Sequence, residues 1–291
     1  MKLSLVLLGL AVAVCSYSAS VSVPILCYHR ISDGKPTNTT VTPDHFRSQM
    51  KTLQDQGFHI IPLAQLVAWK AGTGPVPEPH SVVVTFDDGH ESFFTNVEPI
   101  IDDLHIPVTQ FLVAGCISHG TYCVNWDQVT KLEQDPLVDL ESHTWTHPSF
   151  TSEVRRRTPA AYAHLVDFEL TESKTTLEKH LNHAVPMLAW PYGIYTPMLL
   201  QHAATDGYKV AFSIECRSAT EADPQMAIPR CMVLDSYTGA EFVSFLRRMD
   251  EGATANPVNK SWRIMPEAAD KISPAYEHVG SGALNKRTGS Q

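Results

Sequence analysis

Two groups of ionisable side chains carry the chemistry that this sequence suggests. Asp87 and Asp88 directly follow the apolar, β-branched run 82–86, and His143 and His147, spaced i, i+4, also follow a strand-like segment. Two adjacent like charges are costly unless a cation shares them or one of them is protonated. One aspartate and two histidines form a ligand set for a first-row metal ion, which leaves the second aspartate as a base. These residues predict a metal-dependent hydrolase.

Each group also has an ordinary structural explanation. Asp-Asp-Gly is common turn chemistry, and most histidines are surface residues or hydrogen-bonded core residues. The combination of an aspartate pair with a histidine pair, both after strands, favours the metal site over these alternatives. Zn²⁺ is the expected metal, with Co, Ni or Fe as alternatives, because imidazole and carboxylate ligands suit these ions.

Alternating strands and helices must position these residues. Strands are predicted at 21–27, 58–61, 81–86, 107–113, 137–141, 187–190, 209–214 and 228–234. Helices are predicted from Thr42-Pro43 to Gly57 and at 62–69, 92–104, 126–133, 159–182, 197–206 and 239–249. This alternation predicts an α/β fold, either a parallel barrel or a doubly wound sheet.

Polar clusters follow four of the predicted strands. They are Tyr28-His29, Asp87-Asp88, His143 and Pro191-Tyr192. In α/β barrels the reacting groups lie at the carboxyl ends of the strands. Four strands that each end in a polar cluster therefore favour a barrel with one site at that end.

These motifs resemble a known family. Thr85-Phe86-Asp87-Asp88-Gly89, followed by His143-Thr144-Trp145-Thr146-His147, resembles the NodB-homology polysaccharide deacetylases of carbohydrate esterase family 4. The resemblance covers about residues 22–250 and implies a distorted (β/α) barrel of about seven parallel strands, in a single domain at 21–255. It also implies that Asp88, His143 and His147 bind the metal and that Asp87 is the general base.

The family's third motif matches Pro191-Tyr192-Gly193. The resemblance implies that the main-chain N–H of Tyr192 helps to hold the oxyanion and that its ring lines the substrate groove. The alternative is a simple turn at the end of a strand.

The usual general-acid histidine of the family, late in the chain in a Leu-x-x-His pattern, has no convincing copy after Tyr192. Ile25-Leu26-Cys27-Tyr28-His29 instead resembles the Tyr-His motif of the circularly permuted subgroup that deacetylates poly-β-1,6-N-acetylglucosamine. The resemblance implies that His29 is the general acid. It points to that glycan as substrate, while chitin oligomers and peptidoglycan stay open.

Three positions depart from the family pattern. Ala189 stands where an arginine usually orients the base, and Arg230 is a candidate to replace it. Glu141 replaces a small residue on the strand face of His143, either as a partner of that histidine or as a sign of altered chemistry. His90 stands where other residue types are usual, and we assign it no role.

Two other functions remain open. A secreted carbohydrate-binding protein with the same barrel but no turnover would be consistent with Ala189 and Glu141. The matched positions are also compatible with a metal-dependent hydrolase of a non-sugar amide.

Residues 1–20 have the features of a secretory signal. Lys2 is followed by the apolar run 3–14 and by the small residues 16–20. The apolar run is too short to span a bilayer, so a membrane anchor is the weaker interpretation, as is lipidation at Cys15. We expect a secreted, extracellular protein, or one in the periplasm or at the cell surface.

The charge composition indicates which classes of partner the chain is unsuited to bind. The net charge is −9, and Arg155-Arg156-Arg157, interpreted as a solvated helix start, is the single basic cluster. Such a chain is a poor binder of nucleic acid. The family resemblance implies an N-acetylated glycan as partner; we expect no stable membrane span and leave the oligomeric state open. The polar segment 256–291 is expected to be a loosely ordered tail.

One of the six cysteines lies in the predicted signal. An oxidising compartment favours disulfides between cysteines that flank a short polar loop. We therefore predict the pairs Cys116–Cys123 and Cys216–Cys231, with Cys27 as a buried free thiol.

Overall fold

The computed structural model describes residues 21–34, 37–120 and 122–255. The predicted signal at 1–20 and the predicted tail at 256–291 lie outside these ranges. The predicted domain at 21–255 corresponds to the part of the chain described below.

Between residues 59 and 212, helices separate the successive strands as predicted, while short strands that were not predicted occur on either side of this range. The strands are β1 (Ser22–Val23), β2 (Ile25–Tyr28), β3 (Arg30–Ile31), β4 (Thr40–Val41), β5 (His59–Ile60), β6 (Ser81–Phe86), β7 (Val108–Leu112), β8 (Val138–Ser142), β9 (Met187–Ala189), β10 (Val210–Phe212), β11 (Ala219–Thr220) and β12 (Cys231–Met232). The α-helices are α1 (Pro43–Asp55), α2 (Leu63–Lys70), α3 (Glu98–Leu104), α4 (Trp126–Leu132), α5 (Phe150–Arg156), α6 (Pro159–Leu181), α7 (Pro197–Thr205) and α8 (Gly239–Ala255). A π-helical turn at Phe93–Val97 precedes α3, and 3₁₀ turns occur at Ala114–Cys116 and Pro191–Gly193.

Seven parallel strands form the main sheet in the order β10-β9-β8-β7-β6-β2-β12. A single parallel bridge between Phe212 and Ile228 joins the segment that enters β12 to β10, at the opposite edge. The sheet is therefore curled into a distorted barrel, and the predicted fold of about seven parallel strands is confirmed. The short β5 pairs with the first two residues of β6, and β7 pairs with its last two.

Successive residues of β6 pack into different apolar clusters. All six residues of this strand are buried, as expected for a parallel strand covered on both faces. Val83 belongs to one apolar cluster with Phe111 and Phe212 on the inner side. Val84 belongs to a second cluster with Phe46 of α1, on the side that the helices cover.

Several predicted boundaries differ from the structure. The predicted strand at 21–27 is divided at Pro24, which has no N–H to donate to a neighbouring strand. β1 then pairs with β11 in an antiparallel pair outside the barrel sheet. The predicted strand at 228–234 is shortened to β12, with only the isolated bridge at Ile228 before it.

The interpretation of Arg155-Arg156-Arg157 as a helix start was wrong. Arg155 and Arg156 form the last turn of α5, a helix that the sequence analysis missed. Cations are favourable at a helix C-terminus because the helix dipole is negative there. The next helix, α6, begins separately at Pro159 after the N-cap Thr158.

Both predicted disulfides, Cys116–Cys123 and Cys216–Cys231, are present, and Cys27 is a buried free thiol as predicted. Within the described residues, none of the helices combines the length and the apolar character that crossing a membrane requires.

Candidate active site

The carboxyl ends of neighbouring strands bring the predicted site residues together. His29 follows β2, Asp87 and Asp88 follow β6, and His143 follows β8. The turn Pro191–Gly193 follows β9. Because these strands are parallel members of one sheet, their ends open on the same side of the barrel.

Asp88, His143 and His147, here called the metal-ligand set, point their donor atoms at one another. Asp88 Oδ1 lies 3.6 Å from His143 Nε2 and 3.7 Å from His147 Nε2. One donor atom from each of the three residues lies within 4.8 Å of the others. Two ligands of a tetrahedral zinc ion, each about 2.0–2.1 Å from the metal, lie roughly 3.4 Å apart. The spacing of these donor atoms and their nitrogen–oxygen chemistry fit a zinc ion.

The backbone around this set adopts conformations that are uncommon for residues with a side chain. The φ angles are 74° at Asp88, 69° at Thr144 and 57° at His147. Left-handed conformations of this kind are costly, and they concentrate at functional sites. The sharp local turns are what allow two histidines on an irregular loop to face one aspartate.

The loop that carries the two histidines is anchored to the end of β7. Ala114 N donates to Thr144 O at 3.1 Å, and Gly115 N donates to Trp145 O at 2.8 Å. A Cβ at Gly115 would lie 2.6 Å from Trp145 O, so only glycine permits this close approach.

A main-chain carbonyl fixes the orientation of His143. Its Nδ1 lies 2.8 Å from Ala189 O, a contact in which the ring N–H donates to the carbonyl. The Nε2 lone pair is then directed toward Asp88, which is the arrangement that metal-binding histidines commonly show. This role of the Ala189 carbonyl was not predicted, because only the side chain at that position departs from the family pattern.

Asp87 and Arg230, here called the interior pair, are completely buried. Arg230 Nη1 donates to Asp87 Oδ1 and Arg230 Nη2 donates to Asp87 Oδ2, each at 2.7 Å. The guanidinium lies over the Phe111 ring at 5.0 Å and the Phe212 ring at 5.9 Å. Parallel double hydrogen bonds of this type fix both the position and the plane of a carboxylate.

Burial alone would raise the pKa of Asp87, but the charge and the hydrogen bonds of Arg230 act against it, and the pKa lies well below its ordinary value. Cys27 Sγ also donates to Asp87 Oδ2, at 3.4 Å. This thiol contact was not foreseen, because nothing in the sequence around Cys27 shows which side of β2 faces Asp87.

His29 lies beside the interior pair. Donor atoms of His29, Cys27 and Asp87 are within 4.8 Å of one another, and His29 Nδ1 is buried without a hydrogen-bond partner among the described residues. Burial lowers the pKa of His29 below its ordinary value, although Asp87 and Asp88 oppose this effect.

The third motif forms a tight turn next to the metal-ligand set. Tyr192 has a φ of 58° between the buried Pro191 and Gly193, and it is 56% exposed. Its ring centroid lies 4.6 Å from that of His147. The motif therefore presents an exposed aromatic ring at the mouth of the site.

Glu141 is hydrogen-bonded to the backbone of the neighbouring strand. Its Oε2 accepts a hydrogen bond from Met187 N, at 2.8 Å, so that the carboxyl group bridges β8 to the start of β9. Burial raises the pKa of Glu141 well above its ordinary value, and Asp139 adds to this effect.

Known proteins with similar sequences or folds are named deacetylases. Residues 75–211 match the family model described as polysaccharide deacetylase. A poly-beta-1,6-N-acetyl-D-glucosamine N-deacetylase of Escherichia coli strain K12 is 24% identical, over 78% of this chain and 38% of that protein. The enzyme of the same name from Staphylococcus aureus strain MRSA252 is 26% identical, over 73% of each protein. The chain thus spans well under half of the E. coli relative.

Two solved structures share the fold. The Streptococcus pyogenes deacetylase PplD, in complex with acetate, has a TM-score of 0.69 at 24% identity, covering 78% of this chain and 99% of that one. IcaB from Ammonifex degensii has a TM-score of 0.67 at 22% identity, covering 79% and 98%.

The barrel and the polar residues at its strand ends define an α/β-barrel protein with a candidate metal site. The family match and the named relatives are more specific, and they show that the chain is similar to polysaccharide deacetylases.

Proposed function

We propose that this chain is a metal-dependent N-deacetylase that hydrolyses N-acetyl groups of an N-acetylglucosamine polysaccharide and releases acetate. Poly-β-1,6-N-acetylglucosamine is the favoured substrate, because relatives from two distant bacteria carry that name. The histidine after the first barrel strand, His29, adds to this preference. Chitin and peptidoglycan are the competing glycans.

One observation carries the proposal. Asp88 of the metal-ligand set and Asp87 of the interior pair are adjacent in the chain. A bound ion and an ionised carboxylate would therefore lie side by side. His143 Nε2 is 3.6 Å from Asp88 Oδ1 and 3.8 Å from Asp87 Oδ2. This is the juxtaposition that metal-assisted amide hydrolysis needs.

Asp88, His143 and His147 would hold the ion, with Zn²⁺ as the expected metal and Co, Ni or Fe as alternatives. When bound, such an ion supplies Lewis acidity, which makes water more acidic and polarises an amide carbonyl. The carbonyl of Ala189 keeps the His143 ring turned toward that position.

Asp87 is proposed as the general base and Arg230 as the residue that positions it. The base must be ionised to accept a proton from the attacking water, and the hydrogen bonds from Arg230 keep Asp87 ionised despite its burial. Arg230 would therefore do the work that an arginine at position 189 does in the family pattern.

His29 is proposed as the general acid that donates a proton to the leaving amine nitrogen, since an amine anion is a poor leaving group. The main-chain N–H of Tyr192 would stabilise the oxyanion. The turn formed by Pro191 and Gly193 would hold that N–H in place, and the exposed Tyr192 ring would contact the sugar.

The binding-protein alternative relied on Ala189 and Glu141. Arg230 supplies a guanidinium to Asp87 from the segment directly before β12, and Glu141 accepts a hydrogen bond from the backbone of Met187. Neither position then argues for a loss of turnover, which supports the enzyme.

Secretion is part of the proposal. The signal-like segment 1–20 and the disulfides Cys116–Cys123 and Cys216–Cys231 fit a protein that acts outside the cytosol.

The test is acetate release from poly-β-1,6-N-acetylglucosamine and from chitin pentamer by purified, zinc-loaded protein, with Asp87→Asn as the control. Release that disappears in the variant would support the deacetylase, and the preferred glycan would identify the substrate. A protein that binds one zinc ion per chain but releases no acetate from either glycan would contradict the proposal. Binding of glycan without release would then indicate the binding protein, and turnover of small amides alone would indicate the non-sugar hydrolase.

A further inference from the structure

His90, which the proposed chemistry leaves without a role, lies two residues after Asp88 and forms part of an exposed aromatic surface. The Tyr122 ring stacks on the His90 ring, with centroids 5.9 Å apart and an angle of 28° between the planes. Tyr122 is 47% exposed, one of a few large apolar residues with such exposure among those described. We call Tyr122 and His90 the aromatic platform.

The platform is tied to the segment that carries Asp88. His90 and Cys123 form an antiparallel bridge. Glu91 N donates to Tyr122 O at 2.7 Å, and Val124 N donates to Gly89 O at 3.0 Å. The disulfide to Cys116 closes the loop from which Tyr122 projects. A tyrosine held in this way loses little conformational freedom when a ligand stacks on it.

Hydrogen bonds also fix the His90 ring. Ser92 N donates to His90 Nδ1 at 3.0 Å, so Nδ1 acts as an acceptor and the proton of the neutral ring is on Nε2. The platform therefore combines a flat apolar face with a ring N–H donor and the Tyr122 phenol. A pyranose ring has the complementary chemistry, because its C–H faces are apolar and its hydroxyls surround the edge.

Two exposed tyrosines thus lie on different loops, one in contact with the proposed metal-ligand set and the other beside the segment that follows Asp88. Tyr192 contacts His147, and Tyr122 adjoins the segment that follows Asp88. A single sugar has one ring to stack, whereas a linear glycan offers successive rings to successive aromatic side chains. Amphipathic aromatic residues are suited to such half-wet contacts.

We propose that the aromatic platform is a glycan subsite, which binds a sugar unit neighbouring the one that is deacetylated and so selects polymers over monosaccharides. The proposal rests on the proposed function, because it takes N-acetylglucosamine glycan as the ligand.

The test measures binding and turnover separately. Zinc-loaded Asp87→Asn protein is titrated calorimetrically with N-acetylglucosamine and with its β-1,6-linked pentamer, with and without Tyr122→Ala. The Kd for the pentamer is expected to rise about tenfold, as for the loss of one aromatic contact, while the affinity for the monosaccharide stays unchanged. In the active protein, Tyr122→Ala is expected to raise KM for the pentamer and to leave kcat unchanged.

Two control variants separate the platform from general effects. Tyr122→Phe keeps the ring and is expected to bind the pentamer like the parent. Val76→Ala removes an exposed apolar side chain from the segment before β6, at the far end of that strand from Asp87, and is expected to change nothing. Zinc stoichiometry and the circular dichroism spectrum show whether each variant is folded.

The outcomes distinguish this inference from the proposed function. A parent that releases acetate while Tyr122→Ala binds the pentamer equally well overturns the subsite alone. Equal weakening of monosaccharide and pentamer binding also overturns it, because Tyr122 would then belong to the reacting centre. A parent that neither binds nor deacetylates the glycan overturns the proposed function, and the subsite with it.

Discussion

Asp87 and Asp88 are neighbours in the chain, yet they belong to two regions built on opposite principles. Asp87 is completely buried inside the barrel and is bound through both oxygens by Arg230. Asp88 has a side chain that is 35% exposed, and its nearest charged partners are histidine nitrogens 3.6 and 3.7 Å away. One carboxylate is neutralised by a cation of the protein itself, and the other faces a set of lone pairs that suits an external cation.

The two regions also differ in what holds them. In the interior pair, Asp87 directly follows β6, and Arg230 directly precedes β12 and packs against Phe111 and Phe212. The metal-ligand set occupies loops with left-handed backbone at Asp88 and His147. The interior pair is therefore expected to contribute to folding whether or not metal is present. The metal-ligand set is expected to add stability only when an ion binds, since ligands that bind only the folded state stabilise it.

The largest expected effect follows from breaking the interior pair. Arg230→Met leaves Asp87 buried without a counter-charge, and removing one partner of a buried pair typically costs about 3–5 kcal/mol. Urea denaturation of the metal-free protein would measure the free energy of unfolding. The double variant Asp87→Asn/Arg230→Met serves as control and is expected to recover most of the loss. A loss in the single variant of less than about 1 kcal/mol, the size typical of an exposed ion pair, would show that the two regions do not differ in this way.

His29 lies beside the interior pair, and its replacement tests the proposed chemistry there. His29→Gln is expected to lower kcat by about 10²–10⁴-fold, the usual contribution of a general acid. The variant keeps a polar side chain of similar length. Acetate release under saturating glycan would measure the effect.

The pH dependence of activity tests whether His29 acts in its protonated form. A general acid must be protonated, so activity falls as the pH rises through its pKa. Burial lowers the pKa of His29 despite the nearby Asp87 and Asp88, which shifts that fall to a lower pH than for an exposed histidine. The alkaline fall in kcat/KM is expected to be absent from the residual activity of His29→Gln. An unchanged alkaline limb in that variant would assign the limb to another group.

In contrast to the interior pair, the metal-ligand set should affect zinc binding strongly and the stability of the metal-free protein little. His147→Ala is expected to weaken zinc binding by more than about 100-fold, since loss of even an outer partner of a metal ligand costs about 10–100-fold. The side chain of His147 is partly exposed, so the free energy of unfolding of the metal-free protein should change by less than about 1 kcal/mol. Competition with a chromogenic chelator and urea denaturation would measure the two quantities.

His59→Ala is the matched control for His147→Ala. His59 is an exposed histidine in β5, which pairs with the beginning of β6, away from Asp88. The zinc affinity of the His59→Ala variant should equal that of the parent protein. Equal weakening by both variants would mean that the zinc measured is bound at scattered surface histidines.

Much of this site could be predicted because its residues have strong local signals. Asp87, Asp88 and His143 each follow a run of buried strand residues, and the parallel order of those strands then brings the three together. The disulfides were equally predictable, since Cys116 and Cys123 flank a short polar loop.

Other features depend on contacts that no local pattern encodes. The hydrogen bond from His143 to the carbonyl of Ala189 involves a backbone atom that every residue type carries. The contact of Cys27 with Asp87 depends on strand register, and the left-handed backbone at His147 is not foreseen from a non-glycine residue. The helix α5 was missed because its seven residues bury only Phe150, which leaves no apolar period to detect.

The smallest expected effect concerns Glu141, a buried carboxyl group of β8 whose one described hydrogen bond, from Met187 N, leads to neither region. Burial raises its pKa well above the ordinary 4.5, so the folded state holds the proton more tightly than the unfolded state. The protein therefore loses stability as the pH rises from about 4.5 toward the raised pKa, where the folded state finally releases the proton. Glu141→Gln cannot ionise and can still accept the Met187 N–H, so it should avoid this loss.

The measurement is the free energy of unfolding of the parent and Glu141→Gln at several pH values. The variant should match the parent near pH 4 and gain stability relative to it as the pH rises, by about 1 kcal/mol, a size common for single substitutions. Zinc affinity should be unchanged. A variant that is less stable than the parent at neutral pH would show that the charged form of Glu141 stabilises the fold. A variant that binds zinc more weakly would show that Glu141 supports the metal-ligand set.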